Sequence, residues 1–247
     1  MPIEVVKTVE VEVPVEVVKE VIKEVPVEKI VVATPTAAPR VPTVEKPEGH
    51  LRIAYTSLGS DGIHPKASNI NAGGKDVQTT MYDVIIGSDA QGAFSTESGL
   101  ATDWSTASDA LSHTIHLRKG IKFHNGEEVT AEDVMFSMKE IMEEDSQAAF
   151  NRELTPLLEN FEIPEPYTVV INCHKLCPFA LWIFSGVRGT DGMVVPKAHY
   201  EAVGEPEFAK SPVASGPYRF GEQVLGASIR VDAVNAPHFR GGIPKYE

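Results

Sequence analysis

Two short stretches hold the residues best suited to chemistry. His116–Ser137 reads HLRKGIKFHNGEEVTAEDVMFS and combines histidines, basic residues, a glycine turn and an acidic cluster; Cys173–Cys177 reads CHKLC. A metal site needs several converging ligands, with acids or cysteines among them. His116 and His124 instead fall on the polar side of alternating segments, with His113 nearby, and read as solvent-facing histidines. Leu117-Arg118-Lys119-Gly120 is basic but has too few glycines, wrongly placed, to cradle a phosphate between a strand and a helix start. Cys173-His174-x-x-Cys177 leaves three readings open. It could be half a zinc site completed by outside ligands, a local disulfide in an oxidising compartment, or two packed thiols. Gly-x-Ser-x-Gly is absent. Carboxylates are plentiful, but in a chain of net charge -13 most belong to solvated faces. No catalytic residue, metal ligand set or cofactor site is therefore nominated, and an enzyme is not expected. A thiol- or metal-dependent enzyme around Cys173, His174 and Cys177 is kept as the alternative from another class.

The elements that must position these residues follow from periodicity. Leu51–Tyr55 (LRIAY) reads as a short strand with a Gly/Ser/Asp-rich loop after it. Val77, Met81, Val84 and Ile85 recur at helical spacing and predict a helix over about 75–86. Around His116, Ile115 and Leu117 point one way while Thr114, His116 and Arg118 point the other; Ile121 and Phe123 resume the apolar side after Gly120. Asn125-Gly126 is a turn, because both residues tolerate positive φ. Thr130-x-x-Asp133 is a variant capping box, and its acids suit the N-terminal end of the helix dipole. Val134, Met138 and Ile141 share one face of the helix it opens, which should end near Glu144. Tyr167–Cys173 is a strand, 177–186 a helical turn, 192–204 a strand leading into a short helix, and 215–234 a hairpin around a glycine. Strands and helices mix without a βαβ rhythm, so the fold class is a mixed, irregular α/β.

Composition sets the outer bounds. The chain has 247 residues, 42% hydrophobic and 23% charged, enough for one large domain or two small ones. Its acidity argues against a nucleic-acid partner, since phosphate binding needs a basic surface. Residues 1–48 stand apart from 49–247. They are dominated by Val, Glu, Lys and Pro, repeat EVPVE at Glu12–Glu16 and Glu24–Glu28, and hold no aromatic residue. Alternating Val and Glu favours an extended chain, Pro14 and Pro26 deny it a regular sheet, and the Pro-rich run after it is a linker. This is a stalk or a disordered tail. The first residues have an acid at Glu4 and no unbroken apolar core, so they do not read as a secretory signal.

Along the globular part, several segments in order resemble the extracytoplasmic solute-binding proteins of family 5, the peptide- and nickel-type binding subunits of ABC importers. LRIAYTSLGSDGIHP resembles the first strand and its loop ending in Pro, MYDVII the following helix, and GLATDW the segment before the signature. HTIHLRKGIKFHNGEEVTAEDVMFSM resembles the signature itself. MVVPKAHYEAVG, SPVASGPYRF and NAPHFRGGIPKYE resemble the later conserved stretches. Ala214-Ser215 replace the usual Gly-Thr, His238-Phe239 the usual Tyr-Trp, and His64 an acid.

The resemblance implies a type II periplasmic-binding-protein-like fold, with 49–247 forming lobe I without most of lobe II. It implies capture of peptides outside the membrane and delivery to ABC permease subunits, with nickel or another small solute as the alternative. It also implies a periplasmic or cell-surface location, with residues 1–48 as a membrane tether. Three places are implied to touch ligand: the loop at Ser57, Leu58 and Gly59; Phe150, packing on the ligand; and Arg188, pairing with a carboxylate.

Overall fold

The computed structural model describes residues 46–57, 63–67, 72–148, 151–187 and 191–247. The predicted stalk up to residue 45 lies outside these, as do Leu58, Gly59, Phe150 and Arg188.

The largest sheet has the order β3-β4-β6-β5, antiparallel throughout, with β3 Ala101–Thr106, β4 Ser112–Leu117, β5 Leu158–Glu165 and β6 Thr168–Cys173. In β4 the alternation is plain: His113, Ile115 and Leu117 are buried, and His116 is exposed. Helix α2 (Ala131–Met142) packs on this sheet. It buries Val134, Met138 and Ile141, the face its spacing predicts; each such side chain contributes about 1.5–3 kcal/mol by leaving water. The capping box at its start is present. Asp133 Oδ2 accepts from the Thr130 amide at 2.8 Å and from its hydroxyl at 2.9 Å. The other Asp133 oxygen accepts from the Lys197 amide at 2.9 Å, so one carboxylate starts α2 and also α5 (Lys197–Val203). The turn at Asn125-Gly126 forms, with Gly126 at φ 92.

A second core gathers Met81, Tyr82, Val84, Met193, Val195, Tyr200, Phe208 and Ala214. It joins α1 (Ala72–Met81), α5, α6 (Glu205–Lys210) and the hairpin of β7 (Tyr218–Val224) and β8 (Ser228–Ala233). Two extended segments, 82–86 and 193–195, run side by side between the cores. Val84 bridges Met193 antiparallel, and the Val194 amide donates to Asp83 O at 3.1 Å. Val84, Met193 and Val195 belong to one core, Ile85 and Val194 to the other. The period of two in an extended chain lets one partition serve both sides.

Two expected elements differ. Leu51–Tyr55 pairs as no strand among the described residues; Leu51 and Ile53 are 58% and 61% exposed. Its sequence alternates, but no described backbone completes a ladder with it. The helix expected over 75–86 runs over 72–81 instead. Val84 and Ile85 have helical spacing with Val77 and Met81, yet each also fits an extended wall between two cores, and tertiary pairing selects that. Beyond the expectations lie β3 and β5 in the main sheet, the short pair β1 (Gly87–Ser88) and β2 (Phe94–Ser95), and α3 (Asn151–Leu154). Residues 180–183 form the short helix α4.

Candidate functional site

Ser57 is the nominated ligand contact that the structure describes, and it is exposed. The first turn of α1 holds it from behind. A Cβ on Gly73 would stand 2.9 Å from Ser57 O and 2.9 Å from the Tyr55 ring, so only glycine permits this approach. The Tyr55 hydroxyl then donates to Asp76 Oδ2 at 2.8 Å. Leu58, Gly59, Phe150 and Arg188 lie outside the described residues, so their convergence with Ser57 stays a proposal.

A constellation that the sequence reading missed centres on Asp83, which is fully buried. Its Oδ2 accepts from the Ser215 hydroxyl at 2.8 Å and faces His238 Nε2 at 3.2 Å. Its Oδ1 stands 2.9 Å from Arg240 Nε, a charge contact rather than an aligned hydrogen bond. His238 Nε2 also faces Ser215 O at 3.2 Å, which requires a proton on that nitrogen; Nδ1 accepts from the Arg240 amide at 3.2 Å. Arg240 reaches on to Thr79 O at 3.1 Å and Tyr82 O at 3.4 Å, covering carbonyls that the end of α1 leaves open. Burial pushes the guanidinium pKa down, and Asp83 pulls it back up. His124 joins the same region: its Nε2 meets Gly216 O at 2.8 Å, and burial is the largest influence lowering its pKa. The signal was present but unread. An acid sits within the apolar run Met81–Ile86, and two family departures, Ser215 and His238, lie against it.

A second charged group surrounds Lys66, whose side chain is 8% exposed. Its Nζ lies 3.0 Å from Asp145, 3.2 Å from Glu205 and 3.8 Å from Glu140. Burial works against its charge, but the acids outweigh burial and raise its pKa overall. The Tyr200 hydroxyl donates to Glu140 at 2.8 Å. Beside it His64 is packed against Tyr200 and Phe208, and burial, with Lys66 adding to it, lowers its pKa to about 4. This group joins the Pro65 turn, α2, α5 and α6; its acids are consumed by one lysine.

The histidine reading needs correction in two places. His116 is exposed, as expected, with Nδ1 at 3.1 Å from Thr168 Oγ1. His113 is buried on the inner face of β4, one residue parity away from His116, and His124 is half-buried. Cys173 and Cys177 are joined in a disulfide, and His174 Nδ1 meets Leu158 O at 3.2 Å. Among the described residues no group of three or more His, Cys, Asp or Glu is placed to hold a metal ion. An open hollow of about 580 Å³ lies between the end of α2 and β5, lined by Lys139, Met142, Glu143 and Leu158–Phe161. Ser57 is not among the residues that line it. No helix among the described residues is long and apolar enough to cross a membrane.

Two cores share one extended partition, and the buried carboxylates Asp83 and Asp133 tie separate elements together across it. The architecture matches solved binding proteins. It superposes on MoaA of A. tumefaciens R10, solved with mannopinic acid, with a TM-score of 0.62 and 26% identity, over 74% of this chain and 37% of that one. The family model described as bacterial extracellular solute-binding proteins, family 5 Middle, matches residues 95–247. The chain belongs to this family. It is 30% identical to heme-binding protein A of Haemophilus influenzae over 77% of this chain and 37% of that protein. It is 23% identical to the oligopeptide-binding protein AppA of Bacillus subtilis over 79% of this chain and 36% of that protein. The chain thus spans a little over a third of the length of these relatives.

Proposed function

We propose that this chain is lobe I of a solute-binding subunit that captures peptides outside the cytoplasm and passes them to the membrane permease of an ABC importer. The observation that carries the reading is the family match over 95–247. The name of AppA, an oligopeptide-binding protein, supports peptides as the solute class. The interior supports the mechanism. Closure of two lobes around a ligand needs each lobe to move as a rigid body. Here one Asp83 ties the end of α1 to the Ser215 and Arg240 segments, and Asp133 ties α2 to α5. Binding requires no covalent chemistry and no cofactor.

In this proposal Ser57, Leu58 and Gly59 offer loop contacts, Phe150 packs on the ligand and Arg188 pairs with its carboxylate. A second lobe supplies the opposite wall, and residues 1–48 act as the tether. Identity to heme-binding protein A favours one second reading, a non-peptide solute such as haem; a nickel chelate falls in the same class.

The test is to recover the native protein from its source cells with an antibody to this chain and to identify the solute by native mass spectrometry. Co-purified peptides are expected. Haem or a nickel chelate in their place selects the second reading, and a preparation carrying no solute and taking up none sinks both. Calorimetry with the 247-residue chain alone should show peptide binding no tighter than millimolar; tight binding by it would refute the half-cleft arrangement.

A further inference from the structure

The histidine-cysteine group at the end of β6 is not used by the proposed capture of solute. The Cys173–Cys177 bridge spans a sequence separation of 4, and such short closures restrict the unfolded chain least. The backbone around it is already held. The Cys173 amide donates to Leu111 O at 2.8 Å, the His174 amide to Leu157 O at 3.0 Å, and the Ala180 amide to Cys177 O at 3.0 Å. The two cysteines are 3% and 1% exposed, but residues 174–176 above them are all exposed.

His113 is aimed at one of its sulfurs. His113 Nε2 lies 3.0 Å from Cys177 O, and a carbonyl oxygen only accepts, so Nε2 carries the proton. Nδ1 accepts from the Thr106 hydroxyl at 2.9 Å. The same Nε2–H stands 3.4 Å from Cys177 Sγ, and Ala110 O is 3.9 Å from that sulfur on its own side. A hydrogen-bond donor beside one sulfur stabilises the thiolate that departs there, and a better-stabilised thiolate leaves faster.

We propose that Cys173–Cys177 is a thiol-exchange site, a substrate for a dithiol reductant, with Cys173 the sulfur attacked and Cys177 the leaving thiolate. A thiolate of the dithiol attacks Cys173 Sγ. The Cys173–Cys177 bond breaks, and its electron pair goes to Cys177 Sγ, which receives the His113 N–H hydrogen bond. The second thiolate of the dithiol attacks its partner sulfur in the mixed disulfide and releases Cys173 as a thiolate. The reductant leaves as a disulfide, two electrons have entered the chain, and the two protons from the dithiol end on the two cysteines. His113 keeps its proton throughout and is a positioning residue.

Glutathione, a monothiol, has no second thiol in the same molecule to resolve the mixed disulfide, so quenching at early times traps the first adduct before a second glutathione or Cys177 removes it. The folded chain is exposed to it, quenched with acid, alkylated and mapped by peptide mass spectrometry. Glutathione is expected on Cys173 and the alkyl group on Cys177. Adduct on Cys177, an even mixture, or reaction only in denaturant overturns the proposal. His113→Phe should slow exchange about tenfold, the loss of one hydrogen bond to a charged group, and His113→Asn, which retains a donor, should recover part of the rate. In the fully reduced chain, alkylation against pH should show Cys177 ionising below Cys173, with that order lost in His113→Phe; identical profiles in the two proteins count against it. If His113→Phe fails to fold, the site of the adduct in the unaltered chain still decides.

Discussion

Arg240 Nε stands 2.9 Å from Asp83 Oδ1, and their side chains are 20% and 0% exposed. The two residues are far apart in the chain, one just after α1 and the other after β8. Their contact pins the chain after β8 to the end of α1, where Arg240 also covers Thr79 O and Tyr82 O.

Asp83→Ala should therefore be among the most damaging single changes in the chain. It leaves the Arg240 charge buried without its partner, and the Ser215 hydroxyl without its acceptor. A loss of about 3–5 kcal/mol is expected, read as a drop in the urea midpoint. Asp83→Asn with Arg240→Met should cost less than the sum of the single changes; simple additivity would show that the pair does not act as a unit.

Gly216→Ala tests the close approach behind that lock. A Cβ at 216 would press on Met81 O and lie 2.6 Å from Met81 C and 2.8 Å from Thr80 O. All are backbone atoms, which cannot swing aside, and the Gly216 amide is itself bonded to Met81 O at 2.7 Å. A destabilisation of about 1–3 kcal/mol follows. Gly226→Ala meets no neighbouring atom, but φ there is 70, so its smaller cost is one of backbone strain alone. Thermal melts of the two variants should rank in that order.

His64 gives the fold an acid sensitivity. Burial lowers its pKa from 6.5 to about 4, so it is neutral in the folded chain. As pH falls below 6.5 the unfolded chain takes up a proton that the folded chain refuses. Stability is present above that pH and is lost toward about 4, at up to about 1.4 kcal/mol per pH unit. Burial lowers the His113 and His124 pKa values too, with the same sign. His64→Phe, which keeps an aromatic ring beside Tyr200 and Phe208, should flatten the dependence of the urea midpoint on pH between 6.5 and 4. An unchanged slope would assign the acid sensitivity elsewhere.

Replacing both Cys173 and Cys177 by Ser should leave a folded chain. A five-residue closure contributes about 2 kcal/mol by loop entropy, and the neighbouring backbone bonds remain. Near-ultraviolet circular dichroism should be retained, and the urea midpoint should drop by less than in Asp83→Ala. Collapse of the tertiary signal would make the bridge a structural necessity.

Several local features were read correctly for local reasons. The β4 alternation, the Asn125-Gly126 turn, the Thr130–Asp133 box and the buried face of α2 each depend on neighbours within a few positions, where steric and hydrogen-bond rules act directly. His116–Ser137 also lost its chemical look for the same reason, since its charges belong to a strand face and a helix cap. The ordered segments that marked family 5 were legible too, and those from GLATDW onward fall within the family match over 95–247. Of the nominated contacts, Ser57 is exposed where the loop reading put it, and the other four lie outside the described residues.

What the sequence by itself determined is the period of each element, its caps and turns, and the family those make. What only the tertiary structure decided is which of two periods a segment obeys and which distant groups meet. Val84 and Ile85 satisfied helical spacing, but pairing with Met193 and Gly192 drew them into an extended wall. Leu51–Tyr55 has the alternation of a strand, but a strand is a property of two backbones. His113 and His116 have the same side-chain chemistry, and the sheet buried one and exposed the other. Asp83, Ser215, His238 and Arg240 meet across more than 130 positions of chain, a distance over which spacing carries no signal. A buried charge is tolerable only where partners converge, and that convergence exists only in the folded chain.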